Sequence, residues 1–176
     1  AVLLHGRAQP EAVLSACERH GVTALFSVPT FYRKVLAMPD VERSYPGLRL
    51  RHGNATGEPL GVATYRAWKE RFGTELYEYY GISEFQVLTA HGPAVPIRPG
   101  SVGVAFPGVE LRVLDSQLRP VEPGQEGYLS LKADDPGLFL GYHRDPERWR
   151  KMFRAGWYQP GDKFRCDEDG YLWHLG

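Results

Sequence analysis

The chain has 176 residues, 43% of them apolar, enough for one good core or two small lobes, and its 21 Lys and Arg balance 21 Asp and Glu. That balance, spread without a long single-sign run, leaves no basic stripe for sequence-independent binding to nucleic acid. No apolar run approaches the roughly 20 residues of a membrane span, no charged-then-apolar leader opens the chain, and the two cysteines, Cys17 and Cys166, stand too far apart for a CxxC or a Cys/His cluster. They read as free thiols, which suits a reducing cytoplasm.

In chain order, residues 1–4 form an apolar, strand-like run. Pro10 then opens a helix over residues 11–20, with Val13, Leu14 and Cys17 on one face and Gly21 at its C-terminal end. Residues 22–28 read as a β-branched strand, Pro29 as the first turn of a second helix to about Ala37, and residues 39–46 as a loop. Residues 48–50 suggest a strand running into 54–59. Leu60, Thr64, Ala67, Trp68 and Phe72 recur at helical spacing until Gly73, and residues 75–79 form a strand leading into a turn at Gly81. Strand, loop, helix, strand is the grammar of a mostly parallel α/β sheet, whose ligands gather beyond the strand ends.

Near Pro93 the pattern changes. Prolines and glycines frame short alternating runs at 109–114 and 127–132, with turns at 115–117 and 123–125. Asp145-Pro146-Glu147 starts a helix with a good N-cap, Trp149 and Phe153 facing inward, and residues 167–170 close a hairpin between Phe164 and Leu172. The expected fold class is therefore α/β: a partial, mostly parallel α/β subdomain over residues 1–95, then a small antiparallel, β-barrel-like subdomain over 96–176. His5, His20, His52, His91, His143 and His174 show no metal-ligand spacing.

Chemistry concentrates in a few segments. At the end of the strand 75–79, Tyr80 offers a flat aromatic face, Gly81 permits close backbone approach, and Ser83 beside Glu84 pairs a hydroxyl with a carboxylate suited to a phosphate oxygen and a hard cation. Taken alone, the same residues read more readily as core aromatics followed by a helix cap, and Asp162 as a turn residue after Gly161.

Taken together, the segments resemble the adenylate-forming superfamily of acyl-CoA synthetases, aryl-CoA ligases, luciferases and peptide-synthetase adenylation domains. Glu78-Tyr79-Tyr80-Gly81-Ile82-Ser83-Glu84 is similar to its aromatic-Gly-x-Thr/Ser-Glu motif, Val28-Pro29-Thr30 to its Val/Ile-Pro-Thr segment, and Thr56-Gly57-Glu58-Pro59-Leu60 to its Gly-Glu-x-Leu stretch. Trp157-Tyr158-Gln159-Pro160-Gly161-Asp162, followed by Asp169-Gly170-Tyr171, is similar to its Trp-x-x-x-Gly-Asp…Asp-Gly-x segment, with Pro160 where many relatives have Thr and Ser83 where Thr is commoner.

The resemblance implies an AMP-forming acyl-CoA ligase that uses ATP, Mg²⁺ and coenzyme A on a small carboxylic acid. It implies that adenine lies between the Gly57, Glu58 and Pro59 backbone and the ring of Tyr80, next to Gly81. Ser83 and Glu84 would be catalytic, Ser83 on phosphate and Glu84 holding Mg²⁺, Asp162 would bind the ribose hydroxyls, and Asn54, Ala55 and Ile82 would border the acyl group. A carboxylate suits the ribose because it accepts from both hydroxyls at once. The family's phosphate loop with its lysine and its mobile C-terminal domain have no counterpart within residues 1–176, so the chain reads as an internal fragment of the large N-terminal domain, partnered by the remainder of that domain and the C-terminal domain. A homodimer is open to it. Two other readings stand beside this one: an adenylation domain that passes its acyl group to a carrier protein, and a module that binds a nucleotide or a protein without chemistry.

Overall fold

The computed structural model describes residues 9–176, so the strand-like run at 1–4 and His5 lie outside the described residues. The chain forms two compact units, one through Glu78 and the other from Tyr79.

The first unit alternates helix and strand: α1 (Pro10–Arg19), β1 (Ala24–Ser27), α2 (Pro29–Ala37), α3 (Val41–Ser44), β2 (His52–Ala55), α4 (Val62–Phe72) and the start of β3 (Glu75–Ile82). β2 pairs in parallel with β1 on one side and with residues 75–78 of β3 on the other. The helices begin and end where backbone chemistry dictates. Pro10 and Pro29 occupy first turns, where a missing N–H costs nothing, and Gly73 closes α4 in the left-handed conformation.

Two expectations for this unit are corrected. The strand expected at 48–50 forms instead at His52–Ala55, because Gly53 and Ala55 are the residues small enough to pass beneath the buried side chains: a Cβ on Gly53 would lie 2.5 Å from Leu76 and 2.9 Å from the Tyr32 hydroxyl. The expected loop at 39–46 contains the short helix α3, which buries Val41 in the core. That core gathers Leu14, Tyr32, Val35, Trp68 and Leu76; Trp68 meets Tyr32 edge-on at 5.0 Å, and its indole N–H donates to the Thr74 hydroxyl at 3.0 Å.

The second unit is antiparallel throughout its named strands. Tyr79, Tyr80 and Ile82 of β3 pair with β4 (Phe85–Ala90), which pairs with β5 (Val104–Ala105). The antiparallel pairing thus starts well before the compositional change near Pro93. A second sheet comprises β6 (Leu111–Leu114), β7 (Glu126–Lys132), β8 (Phe153–Arg154), β9 (Trp157–Tyr158), β10 (Lys163–Cys166) and β11 (Leu172–His174), and α5 (Pro146–Lys151) precedes β8. Its order is β11-β10-β7-β9-β8, with β6 also on β7. β7 carries three partners because it is the longest strand here, and the two-residue strands β8 and β9 end the array without closing it into a barrel. The expected turns form: Asp115 Oδ1 accepts from the Gln117 N–H at 2.8 Å, and Asp167 Oδ1 from the Tyr171 N–H at 2.9 Å. Asp145 caps α5 by accepting from the Arg148 N–H at 3.0 Å, and Trp149 and Phe153 pack inward on a core built on Leu88, Leu129, Leu131, Tyr158 and Phe164.

Candidate nucleotide site

In the second unit β3 and β4 are joined by a tight hairpin whose turn is Ser83 and Glu84. The turn therefore falls after Gly81, which sits inside the strand where the register between Tyr80 and Ile82 is irregular. The need for glycine there is steric: a Cβ would lie 1.9 Å from the Gln86 carbonyl oxygen across the hairpin. This also removes the reading of Ser83 and Glu84 as a helix cap. Ser83 is exposed at the turn, and Ile82 packs, partly buried, on the core.

Glu84 is half-buried, and its carboxylate accepts a hydrogen bond from the Tyr142 hydroxyl, while its backbone carbonyl accepts from the Phe139 N–H at 2.9 Å. The Tyr142 ring is fixed between the edge of Phe139, 4.9 Å away, and the Arg148 guanidinium, 4.2 Å from its centre. Burial, and then the neighbouring Glu84, pushes the Tyr142 phenol above its ordinary pKa, so it stays a donor.

Tyr80 and Asp162 come together. The Tyr80 hydroxyl donates to Asp162 Oδ2; the ring stacks on His174 with centroids 5.6 Å apart and meets the edge of Phe164 at 4.9 Å. His174 Nε2 lies 3.8 Å from the other Asp162 oxygen. Burial, with Asp162 next in weight, raises the Tyr80 pKa. A tyrosine on β3, a histidine on β11 and an acid immediately before β10 thus come together, where the acid's oxygens can accept from a vicinal diol.

In the first unit, the segment 56–60 is tied at three points. The Thr56 N–H donates to the Ser27 carbonyl at 3.3 Å, the Leu60 N–H donates to Glu78 Oε1 at 2.9 Å, and the Glu58 carboxylate leaves the segment to meet the first turn of α2. There it accepts from the Thr30 N–H at 2.6 Å and from the Thr30 hydroxyl, and lies 3.1 Å from Arg33 Nη2. These donors, the Thr30 hydroxyl foremost, hold the Glu58 carboxyl below its ordinary pKa. Gly57 adopts φ +91°, a conformation that side chains disfavour. Asn54 has its Oδ1 buried without a hydrogen-bond partner, and its carbonyl lies 2.9 Å from the Tyr32 hydroxyl; Ala55 is wholly buried in the core.

Thr30, Arg33, Tyr142 and His174 engage the motif acids and were given no role from sequence. Of these, Thr30 had a signal in its place in the Val-Pro-Thr segment, and Tyr142 a weaker one in the Gly141-Tyr142 pair before Asp145-Pro146. Among the described residues no group of three or more His, Cys, Asp or Glu gathers to hold a metal by itself. No helix of the described residues is long and apolar enough to cross a membrane.

The fold is that of the adenylate-forming enzymes. The chain superposes over its full length on 34% of the anthranilate CoA ligase AuaEII, solved in complex with anthranoyl-AMP, with a TM-score of 0.90 and 33% identity. It also superposes, over 97% of its length and 33% of the other chain, on ATP-bound MatB from Rhodopseudomonas palustris, with a TM-score of 0.86 and 33% identity. Residues 1–143 match the AMP-binding enzyme family, and the chain belongs to that family. Curated relatives include the mitochondrial acyl-coenzyme A synthetase ACSM4 of Rattus norvegicus, 34% identical over 99% of this chain and 31% of the relative, and the acetyl-coenzyme A synthetase of Bacillus subtilis (strain 168), 32% identical over 99% and 31%. The chain thus spans about a third of the length of these relatives.

Proposed function

We propose that the chain is the nucleotide-facing part of an AMP-forming carboxylate–CoA ligase. In the first half-reaction a carboxylate oxygen attacks the α-phosphorus of ATP, giving acyl-AMP and pyrophosphate. In the second the CoA thiol attacks the acyl carbon and AMP leaves, giving the thioester. The observation that carries this reading is that two motif acids of the second unit, Glu84 and Asp162, are each held by a tyrosine hydroxyl, from Tyr142 and Tyr80. An acid with no role beyond solubility does not require such a partly buried, oriented donor.

Asp162, backed by Tyr80 and near His174, accepts from the ribose hydroxyls. In the second unit the Tyr80 ring borders adenine; in the first unit the backbone of Gly57, Glu58 and Pro59 is assigned to nucleotide binding. Ser83, exposed at the hairpin turn, donates to a phosphate oxygen. Glu84 with the triphosphate forms an all-oxygen donor set, which fits Mg²⁺: that ion usually takes one or two carboxylates together with substrate phosphates. When bound, it neutralises charge on the phosphates. Asn54 and Ile82 border the acyl group; Ala55, whose side chain is in the core, can contribute only through its backbone. The remaining walls of the site and the CoA-accepting step belong to sequence beyond this chain. Free Cys17 and Cys166 suit a reducing cytoplasm, where we place the enzyme.

In the whole protein, Glu84→Ala and Asp162→Ala should each abolish carboxylate-dependent ATP–pyrophosphate exchange. Wild-type rates in both variants would overturn the assignment.

A further inference from the structure

Of the segments that resemble the family, Val28-Pro29-Thr30 alone has no part in the proposed chemistry, yet it meets the Gly-Glu-Pro segment directly. α2 begins with Val28 at its N-cap position and Pro29 in its first turn, and no side chain caps it locally or places an acid in that turn. Pro29 has no N–H and the Phe31 N–H donates to the Val28 carbonyl at 2.9 Å, so the Thr30 N–H is the donor left over in the first turn, at the positive end of the helix. Glu58, 28 residues on in the chain, fills that gap by accepting from the Thr30 N–H at 2.6 Å. The Thr30 hydroxyl also donates to Glu58 Oε1 and accepts from Arg33 Nη2 at 2.9 Å, and the same guanidinium nitrogen lies 3.1 Å from Glu58 Oε2. One hydroxyl thus uses its proton on the acid and a lone pair on the arginine, and the three side chains form a closed triangle.

We infer that Thr30 and Arg33 are positioning residues that act through Glu58 to fix the segment 56–60, and through it the base of the bound nucleotide; this rests on the adenylate-forming reading above. The Glu58 carboxylate is occupied by α2, so its own contribution to nucleotide binding is confined to the backbone beside it. Gly57 at φ +91° and Gly61 at φ +78° give that backbone two conformationally permissive positions, one on either side of Glu58. The Thr56 N–H on the Ser27 carbonyl and the Leu60 N–H on Glu78 fix the two ends of the segment, and the Glu58 triangle fixes its middle. A mispositioned base contact weakens ATP binding without touching the groups that act on phosphorus, so the signature is in KM rather than kcat.

The test compares Thr30→Val, Thr30→Ser, Glu58→Gln and the double variant Thr30→Val/Glu58→Gln in the whole protein, by ATP–pyrophosphate exchange and by backbone amide hydrogen exchange over residues 56–61. The valine keeps the size and β-branching of threonine, and serine keeps the hydroxyl. Thr30→Val should raise the KM for ATP about three- to tenfold, the range of a charge-assisted but solvent-exposed contact, with kcat and the KM for the carboxylic acid within about twofold of wild type. Thr30→Ser should restore the wild-type value. Amides 56–61 should exchange faster in Thr30→Val and in Glu58→Gln, and the double variant should add little to either. Serine and valine variants that behave alike, unchanged amide exchange in Thr30→Val, or fully additive effects would each overturn the inference. A wild-type protein without carboxylate-dependent exchange for any acid tried would refute the functional reading instead, and the amide data would then decide the triangle alone.

Discussion

Glu78 is a carboxyl group buried in a core, and its removal has a pH signature. Only 6% of the residue is exposed, and its Oε1 accepts from the Leu60 N–H at 2.9 Å. Burial pushes the carboxyl from its ordinary 4.5 up to about 7, with the Leu60 N–H pulling weakly the other way. The folded protein therefore holds this proton more tightly than the unfolded chain does. Stability associated with the group is fully present below pH 4.5, falls as the pH rises, and is lost above about 7. At about 1.4 kcal/mol for each tenfold change in proton binding, the loss over that window is ~3 kcal/mol.

Glu78→Gln isolates this effect, because the amide oxygen can still accept from Leu60 and the new group does not ionise. Its NH₂ can cost ~1–3 kcal/mol if left unpaired, but that cost is the same at every pH. Urea unfolding of wild type and variant at half-unit steps from pH 4.5 to 8 should give two curves that converge or cross: wild type declining by ~3 kcal/mol more than the variant across the window. A carbon-detected NMR titration of the Glu78 carboxyl should show its midpoint near 7. Parallel curves, or a carboxyl that titrates at its ordinary value, would refute the reasoning.

Two further substitutions test the second unit. Gly81→Ala places a Cβ 1.9 Å from the Gln86 carbonyl, backbone against backbone, and should lower stability by ~3 kcal/mol and speed amide exchange across the β3–β4 hairpin; unchanged stability would mean the strands part without cost. Tyr142→Phe removes the donor on Glu84 while the ring keeps its Phe139 and Arg148 contacts, so the melting temperature should hold within a few degrees while ATP–pyrophosphate exchange falls about tenfold. Wild-type exchange in this variant would show that the Glu84 carboxylate needs no help from Tyr142.

Sequence reading succeeded where the determining interaction is local. The first-turn prolines of α1, α2 and α5, the Asp145 cap and the Asp115 and Asp167 turns all depend on partners within a few residues, and all formed as expected. It misplaced β2 because the run at 48–50 is the more apolar, whereas His52–Ala55 is a strand by virtue of what it lacks: Gly53 fits under Leu76 and Tyr32. It misread Gly81 as a turn because glycine serves both for positive φ and for close strand approach, and only the opposing Gln86 carbonyl separates the two.

The motif acids were legible and their holders were not, for a related reason. Glu58, Glu84 and Asp162 each take a hydrogen bond from a hydroxyl that lies 28, 58 and 82 residues away in the chain. A periodicity or a spacing cannot reveal a partner at such a distance, and a tyrosine or threonine read alone is better explained as packing or a helix start. The hydroxyl is nevertheless well suited to this task. Unlike lysine or arginine, it orients a carboxylate without cancelling its charge, which leaves the acid free to bind a cation or a diol while its geometry stays fixed. Glu58, the acid that also meets an arginine, has its carboxylate engaged within the protein, whereas Glu84 and Asp162, held by tyrosines, are the ones we propose to act on a ligand. On the proposed reading, the partner, a hydroxyl with or without a guanidinium, separates the acid proposed to position from the acids proposed to bind.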